Sequence, residues 1–88
     1  MKDSIFTCLT VLENKKNITN IVAKNIGKKI KLLRSEYRLS GSDLARIIGI
    51  SQQQLSRYEN GLSDISTSKI MLISVYFKVD VCYFFKKD

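Results

Sequence analysis

The sequence lacks histidine, proline and tryptophan, and it has only two cysteines in 88 residues. Because histidine is absent and Cys8 and Cys82 are far apart, the ligand spacings of a zinc site are missing, and we expect no metal. The serine and cysteine side chains have no histidine as a general base and the acidic residues are scattered, so we expect neither enzyme activity nor a cofactor. Isolated cysteines are typical of free thiols in a reducing cytoplasm, which is the expected location.

Glycines are also few, four in all, and with no proline this favours helices over a turn-rich sheet protein. No segment approaches the roughly 20 apolar residues that cross a bilayer, and the chain start lacks the apolar core of a signal peptide. The length allows one small domain with a modest core, which dimerisation would enlarge. We therefore expect a small helical protein without a membrane partner.

Acidic residues are scarce as well, eight against fifteen Lys and Arg, which gives a net charge of +7. Between Asn20 and Ser40 there are six basic residues and one acidic residue, Glu36. Nucleic acid is the first partner that this suggests, and an acidic protein or membrane surface is the second. The same charge would suit a solvated helix surface that keeps the protein in solution, and charge alone does not separate these interpretations.

The apolar residues recur with a helical period. A stripe at spacings of four, four, three and four predicts a first helix over residues 20–37. Residues 1–17 are interpreted as an extra helix, a dimer arm or a frayed tail, with a polar break at residues 14–17. A fourth helix is predicted over residues 67–77, and Asp80 is a candidate cap for a final turn. The stripe of the first helix consists of Val22, Ile26, Ile30, Leu33 and Tyr37.

Two short helices with a tight turn between them are predicted in the middle of the chain. Ser40 with Asp43 resembles a capping box, and Gly49 predicts the end of that helix because glycine readily adopts the left-handed conformation. Ser51 is the N-cap candidate of the third helix, which ends before residues 60–61, an Asn-Gly pair. A tight turn containing glycine between two short helices is the helix-turn-helix arrangement.

The third helix begins with side chains suited to base edges. Glutamine forms paired hydrogen bonds with adenine, and arginine with guanine, in the major groove of DNA. Gln52, Gln53 and Gln54 occupy the first turn, and Arg57 follows five residues after Gln52. The alternatives are a merely polar, exposed turn and an arginine in a weak surface ion pair. The helix-turn-helix context favours base contact by the glutamines, and contact of Arg57 with guanine or phosphate.

With these residues, the chain resembles the Cro/C1-type helix-turn-helix domain, also called the XRE family, over residues 26–85. The matching segments are residues 26–30 with 33–34, 39–40 with 43–45, 48–51, 56–61 and 70–79. Residues 51–54 with 56–59 are similar, more finely, to enterobacterial fimbria-operon regulators of the MrpJ type, which repress motility genes. The resemblance implies an all-α, five-helix, lambda-repressor-like fold over residues 20–88, preceded by an N-terminal arm or extra helix at residues 1–19.

The resemblance also implies a DNA-binding homodimer and assigns site residues. Gln52, Gln53 and Arg57 match base-reading positions of the recognition helix, while Arg34 and Glu59 match a structural ion pair between the first helix and the end of the third. At Gly41 the sequence departs from the family, which commonly has a glutamine that contacts phosphate and braces the first recognition glutamine. The further matches are Ser51, near the DNA backbone, and Gln54 and Ser56, as weaker base or phosphate contacts.

Basic residues outside the third helix are candidates for contacts with phosphate. Such contacts would add affinity without sequence information and make binding dependent on salt. The candidates are Lys31, Arg38 and, on the second helix, Arg46. Lys28 and Lys69 are similar candidates, since helix N-termini such as that near Lys69 also attract phosphates. For each of them, plain solubility is the competing interpretation.

The aromatic residues near the C-terminus have two interpretations. Phe84 is expected to close the core. The remaining apolar side chains of this region would form a self-complementary dimer surface, because exposed apolar patches often mark interfaces. The predicted dimer residues are Tyr76, Val81, Tyr83 and Phe85.

The leading hypothesis is a cytoplasmic repressor that binds double-stranded DNA at a near-palindromic operator as a homodimer, with half-sites about 34–36 Å apart. Control of motility genes from a fimbrial operon is the finer hypothesis. The alternative is an antitoxin of a toxin–antitoxin pair, which would bind its protein partner through residues 1–17 and DNA only for autoregulation. A phage or restriction-system regulator is a third possibility.

Overall fold

The computed structural model describes residues 15–86 of the chain, and side chains from residue 18 onward. Four α-helices follow one another in this part: α1 (Lys15–Glu36), α2 (Gly41–Ile48), α3 (Gln52–Glu59) and α4 (Thr67–Phe77). No strand occurs among these residues, so the expected all-α class is confirmed. Residues 1–14 lie outside the described residues, and so do the predictions of an extra helix, a dimer arm or a frayed tail for that segment.

The start of α1 differs from the expectation. The helix begins at Lys15 and not at Asn20, and the expected polar break is wrong from Lys15 onward. Lysine is a good helix former, and asparagine inside a helix costs only a fraction of 1 kcal/mol relative to alanine. The polar segment at residues 14–17 contains no glycine or proline, and it was therefore weak evidence for a break in the helix. The expected division between residues 19 and 20 falls inside α1.

The fifth helix of the expected fold is a short 3₁₀ helix, Val81–Phe85, rather than an α-helix. The Asp80 carboxylate accepts a hydrogen bond from the Cys82 N–H at 3.0 Å, as its predicted capping role requires, and the Asp80 carbonyl accepts one from the Tyr83 N–H at 2.9 Å. The second bond has the i to i+3 pattern of a 3₁₀ turn. The tight turn inserts Phe84 fully into the core, and Lys86 returns to extended backbone.

The hydrophobic core lies where α1 packs against the other helices. Most of the predicted α1 stripe is buried there, including Ile26, Ile30 and Leu33. Tyr37 is the exception, because it is half exposed, packs its ring edge-on against Phe77 and donates from its hydroxyl to the Phe77 carbonyl at 3.2 Å. The largest fully buried side chains are Phe77, Phe84, Ile30, Leu44, Ile48, Leu55 and Ile73.

The capping box predicted at the start of α2 is present. The Ser40 Oγ accepts a hydrogen bond from the Asp43 N–H at 3.0 Å, and the Asp43 carboxylate accepts one from the Ser40 N–H at 3.1 Å. The bond from the Ser40 backbone stabilises the charged carboxylate and lowers the pKa of Asp43. This box fixes where α2 begins, and thereby the direction in which the helix-turn-helix unit leaves α1.

A glycine sets the close approach of α1 to the end of α3. A Cβ atom on Gly27 would lie 2.2 Å from the Tyr58 carbonyl oxygen and 2.7 Å from that of Glu59. Backbone oxygens at that distance cannot give way without a shift of the helix. Because Gly27 has no side chain, the end of α3 can lie directly against α1. This close contact fixes the position of α3, which carries the candidate site.

Candidate nucleic-acid interface

The turn between α2 and α3 has the geometry that the sequence predicts. Gly49 adopts a left-handed conformation with φ of 76°, and the Ile50 N–H donates to the Ala45 carbonyl at 2.9 Å. Ser51 caps α3, because its Oγ accepts a hydrogen bond from the Gln54 N–H at 3.0 Å. The two helices are thus joined by three residues only, and hydrogen bonds cap both the end of α2 and the start of α3.

Lys69 supports this turn from α4. Its Nζ donates to the carbonyl of Ile48, the last residue of α2, at 3.0 Å. A positive charge at a helix C-terminus interacts favourably with the helix dipole and with the free carbonyls there. In this conformation Lys69 acts as a brace between α4 and the helix-turn-helix unit, which the sequence interpretation as a phosphate ligand did not anticipate.

The outer surface of α3 is polar and exposed. Gln52, Gln53, Ser56 and Arg57 are all exposed, while Leu55 is only 1% exposed and anchors the helix in the core. At 100° per residue, those four side chains fall within one sector of the helix. Gln54 is half-buried and lies outside that sector, so the structure brings together four of the five predicted α3 contacts.

Gln52 lies beside the departure from the family pattern. An ideal Cβ on Gly41 would be 3.5 Å from the Gln52 Nε2, an ordinary van der Waals contact. A polar hollow of about 290 Å³ opens next to Gln52. Lys31 of α1 lines this hollow together with residues of α3. Gly41 thus leaves only backbone and open space beside the Gln52 side chain. The hollow is lined by Lys31, Arg34, Gly41, Gln52, Leu55, Ser56, Glu59 and Asn60.

The predicted pair Arg34 and Glu59 is present and lines this hollow. The Arg34 Nε lies 2.7 Å from the Glu59 Oε2, and the two side chains are 18% and 8% exposed. The hydrogen bond to Glu59 raises the pKa of Arg34 further above its usual value. The pair links α1 to Glu59, the last residue of α3.

The other predicted phosphate contacts lie on the surface. Arg46 is on α2, with its side chain 75% exposed and its Nη1 3.7 Å from the Asp43 carboxylate. Arg38 is exposed in the turn between α1 and α2, with φ of 58°. Lys28 and Lys31 are exposed on α1, whereas Lys29 is buried and lies 5.0 Å from the centre of the Tyr83 ring. Exposed basic residues thus lie on α1, on α2 and in the turn that joins them, and Lys31 lines the hollow beside α3.

The predicted dimer residues do not form one continuous exposed patch. Tyr76 is 43% exposed on α4, but Val81, Tyr83 and Phe85 are half-buried. Val81 and Phe85 line an apolar groove of about 440 Å³ with Met71 and residues of α1. Val81 and Phe85 therefore belong to this groove, whereas neither Tyr76 nor Tyr83 lines it.

Sequence reasoning missed the neighbours of Tyr76. Met71, Leu72 and Val75 are 46%, 49% and 71% exposed on α4, so this helix has an apolar outer surface as well as a buried one. The signal was the nearly uninterrupted apolar run at residues 70–77, which exceeds what one buried stripe requires. No helix within the described part of the chain is long and apolar enough to cross a membrane.

Comparison with known proteins places this arrangement in a family. The model of the HTH_3 helix-turn-helix family matches residues 30–84. The antitoxin PezA of Streptococcus pneumoniae serotype 4 is 52% identical over 54 residues, which are 61% of this chain and 34% of that protein. An uncharacterised HTH-type transcriptional regulator of Rickettsia conorii is 36% identical over 72 residues, covering 82% of this chain and 58% of that protein. The chain thus spans about a third to three fifths of these relatives.

Solved structures share the fold. The restriction-modification controller protein C.AhdI of Aeromonas hydrophila superposes with a TM-score of 0.66 at 21% identity, covering 72% of this chain and 96% of that chain. An HTH_3 family transcriptional regulator from Vibrio cholerae gives a TM-score of 0.67 at 24% identity, over 76% of this chain and 38% of that one. Because the family model matches more than half of the sequence, and the capped turn and short helices are in place, this chain belongs to the Cro/C1-type helix-turn-helix family.

Proposed function

We propose that the chain is a sequence-specific DNA-binding transcription regulator whose α3 reads base edges in the major groove. The observation that carries the proposal is the exposed polar sector of α3, formed by Gln52, Gln53, Ser56 and Arg57, on a helix fixed by Leu55. Glutamine and arginine pair with the acceptor and donor groups of adenine and guanine there. No catalytic step is part of this function.

Affinity would come mainly from the basic residues around α3. Lys31, Arg38 and Arg46 are exposed on elements adjoining it, in a chain with a net charge of +7. Contacts of such residues with phosphates position a protein on DNA and carry no sequence information. In this proposal, Ser51 and Gln54 add contacts to the DNA backbone at the start of α3.

The regulator would act as a homodimer. The outer surface of α4, with Met71, Leu72, Val75 and Tyr76, is apolar and exposed, and burying it between two copies would offset its cost in water. Sedimentation equilibrium of the chain and of Val75→Asp tests this, with Ser68→Asp as a charge-matched control on the same helix. Dimers for the chain and the control, and monomers for Val75→Asp, are expected. Monomers throughout would contradict this interface.

Repression is the expected mode of action, since a dimer bound over a promoter blocks polymerase. Control of motility genes from a fimbrial operon remains the finer hypothesis, based on the resemblance of residues 51–59. A reporter driven by the promoter of the chain's own operon, or by a flagellar promoter, separates these targets. Reduced expression from the flagellar promoter would support the finer hypothesis, and reduced expression from the own promoter alone would argue against it.

A second candidate function is that of an antitoxin. The 52% identity to the antitoxin PezA favours it, although the matching 54 residues are 34% of that protein. Such a protein would bind DNA for autoregulation and a toxin through another surface, for which residues 1–17 are the candidate. Co-purification with the product of the adjoining gene, and relief of that product's toxicity on co-expression, are the expected results for an antitoxin.

Selection from a randomised duplex pool tests the principal proposal. The chain is compared with a Gln52→Ala/Gln53→Ala variant, whose thermal unfolding is first measured to confirm that it folds as stably as the parent. The expected result is a two-fold symmetric motif for the parent, with half-sites about 34–36 Å apart, and no motif for the variant. Salt-sensitive binding of both proteins without any motif would mean that the basic surface binds DNA non-specifically, and the proposal would fail.

A further inference from the structure

Within the exposed sector of α3, Arg57 is held by hydrogen bonds from its side chain to the following loop. Its Nε donates to the Ser63 Oγ at 3.0 Å, and its Nη2 donates to the Leu62 carbonyl at 3.2 Å. Neither Leu62 nor Ser63 belongs to a helix. An arginine at the end of the recognition helix is therefore held by the loop that leads to α4.

The loop is in turn held by the backbone of α3. The Leu62 N–H donates to the Arg57 carbonyl at 2.9 Å, and the Gly61 N–H donates to the Tyr58 carbonyl at 3.1 Å. Gly61 has φ of 71°, which turns the chain back over the end of the helix. Leu62 thus binds Arg57 twice: its N–H donates to the Arg57 carbonyl, and its carbonyl accepts from the Arg57 side chain. We name the group formed by Arg57, Leu62 and Ser63 the Arg57 clasp.

The clasp leaves part of the guanidinium available to a ligand. A guanidinium has five N–H donors in a rigid plane. The two bonds use the Nε–H and one Nη2–H, so the two Nη1–H groups and the second Nη2–H remain. A pair of donors on that edge matches the O6 and N7 acceptors of guanine, or two oxygens of a phosphate.

Fixing a long side chain before binding reduces the entropy lost on binding. Arginine otherwise samples many rotamers, and a mobile guanidinium reaches several bases and phosphates with similar ease. A guanidinium in a fixed plane discriminates better, because paired hydrogen bonds require both donors to be aligned at once.

We propose that Ser63 is a positioning residue for base recognition: its hydroxyl, with the Leu62 carbonyl, fixes the Arg57 guanidinium so that its free edge reads a guanine. The inference rests on the proposed function, since it concerns how the same α3 surface discriminates among bases. It assigns a role in specificity to a serine outside the recognition helix.

The test uses the duplex that the selection defines and a second duplex in which the guanine contacted by Arg57 is replaced. That base pair is identified as the one at which Arg57→Ala loses discrimination. Dissociation constants on both duplexes are compared for the parent, Ser63→Ala, Ser63→Thr and, as a control, Ser35→Ala, an exposed serine of α1. Thermal unfolding of each variant shows whether the fold is intact.

Ser63→Ala is expected to lose roughly 3- to 10-fold in discrimination at that base pair, the effect of one hydrogen bond. Ser63→Thr keeps the hydroxyl and is expected to restore discrimination, while Ser35→Ala changes nothing. In an Arg57→Ala background, Ser63→Ala is expected to have no further effect, because the group that it positions is absent.

Two outcomes would overturn the role of Ser63 alone while the motif of the parent remains. Unchanged discrimination in Ser63→Ala is one, and tighter binding of Ser63→Ala is the other, since it would mean that the clasp withholds Arg57 from DNA. A parent chain that enriches no motif contradicts the proposed function itself, and the role of Ser63 falls with it.

Discussion

The Arg34 guanidinium holds the Glu59 carboxylate through two hydrogen bonds, Nε to Oε2 at 2.7 Å and Nη2 to Oε1 at 3.1 Å. Its Nη1 donates to the Leu39 carbonyl at 3.0 Å. A single side chain of α1 thus fixes the end of α3 and the turn before α2. The direction of α3 relative to the rest of the domain depends on this arginine.

Replacing Arg34 by alanine would leave the mostly buried Glu59 carboxylate without its partner. Arg34→Ala is therefore expected to lower the free energy of unfolding by about 3 kcal/mol. Urea denaturation measures this, and Arg46→Ala, which removes an exposed contact to Asp43, is the control with an expected change under about 0.5 kcal/mol. Equal stability of Arg34→Ala and the parent would mean that the pair serves binding and not folding.

Gly27 is expected to tolerate no side chain. Gly27→Ala would place a Cβ 2.2 Å from the Tyr58 carbonyl oxygen and force α1 and α3 apart, which should cost about 1–3 kcal/mol. Gly41→Ala is the matched control, because its Cβ would meet Gln52 at an ordinary 3.5 Å. The midpoints of thermal unfolding should separate the two variants clearly. A Gly27→Ala protein as stable as Gly41→Ala would show that the helix crossing adjusts without cost.

Lys69 is expected to contribute to stability through the C-terminus of α2. Lys69→Met keeps the aliphatic part of the side chain and removes the charge that binds the Ile48 carbonyl at 3.0 Å, so it should cost about 1 kcal/mol. The cost should shrink at high salt, because salt screens the interaction of the charge with the helix dipole. Lys28→Met, at an exposed position of α1, should change little. A loss for Lys69→Met that is the same at all salt concentrations would argue for a packing role instead.

Acid should weaken the caps of α2 and of the 3₁₀ helix. Backbone N–H groups of Ser40 and Cys82 lower the pKa values of Asp43 and Asp80, so both lie below the unfolded value of about 3.9. The stability from these carboxylates is therefore present above about pH 4 and is lost as pH falls through the folded-state pKa values. Unfolding temperatures measured downward from neutral pH should drop more steeply for the parent than for Asp43→Asn/Asp80→Asn. Parallel curves would contradict this assignment.

Local signals in the sequence predicted much of the fold. The capping box at Ser40, the left-handed Gly49 and the cap at Ser51 are all in place, because each depends on a few neighbouring residues. The start of α1 was misplaced, since Lys15 and its neighbours carry neither a strong helix-start signal nor a strong helix-stop signal. The sequence predicted a capped final turn after Asp80 but not its 3₁₀ geometry, because a cap does not distinguish a 3₁₀ turn from an α-helical one.

For the candidate site, the sequence indicated which side chains lie on α3 but not what holds them. The Arg34–Glu59 pair was inferred only through the family resemblance. The bond of Lys69 to Ile48 and the clasp of Arg57 by Ser63 join residues whose sequence positions follow no helical period. Such contacts depend on where a loop returns after the helix ends, which no repeat in the sequence encodes.

The central claim is that α3 reads bases. Its most direct test asks whether removing one α3 side chain abolishes the protein's preference at one particular base pair. Dissociation constants of the parent, Gln52→Ala and Gln53→Ala are measured at about 0.15 M salt on the selected duplex and on duplexes with one base pair changed in each half-site. Each variant is expected to lose roughly 5- to 150-fold in discrimination at one position and to keep it elsewhere. Uniform weakening on every duplex, with discrimination unchanged, would contradict base reading by α3.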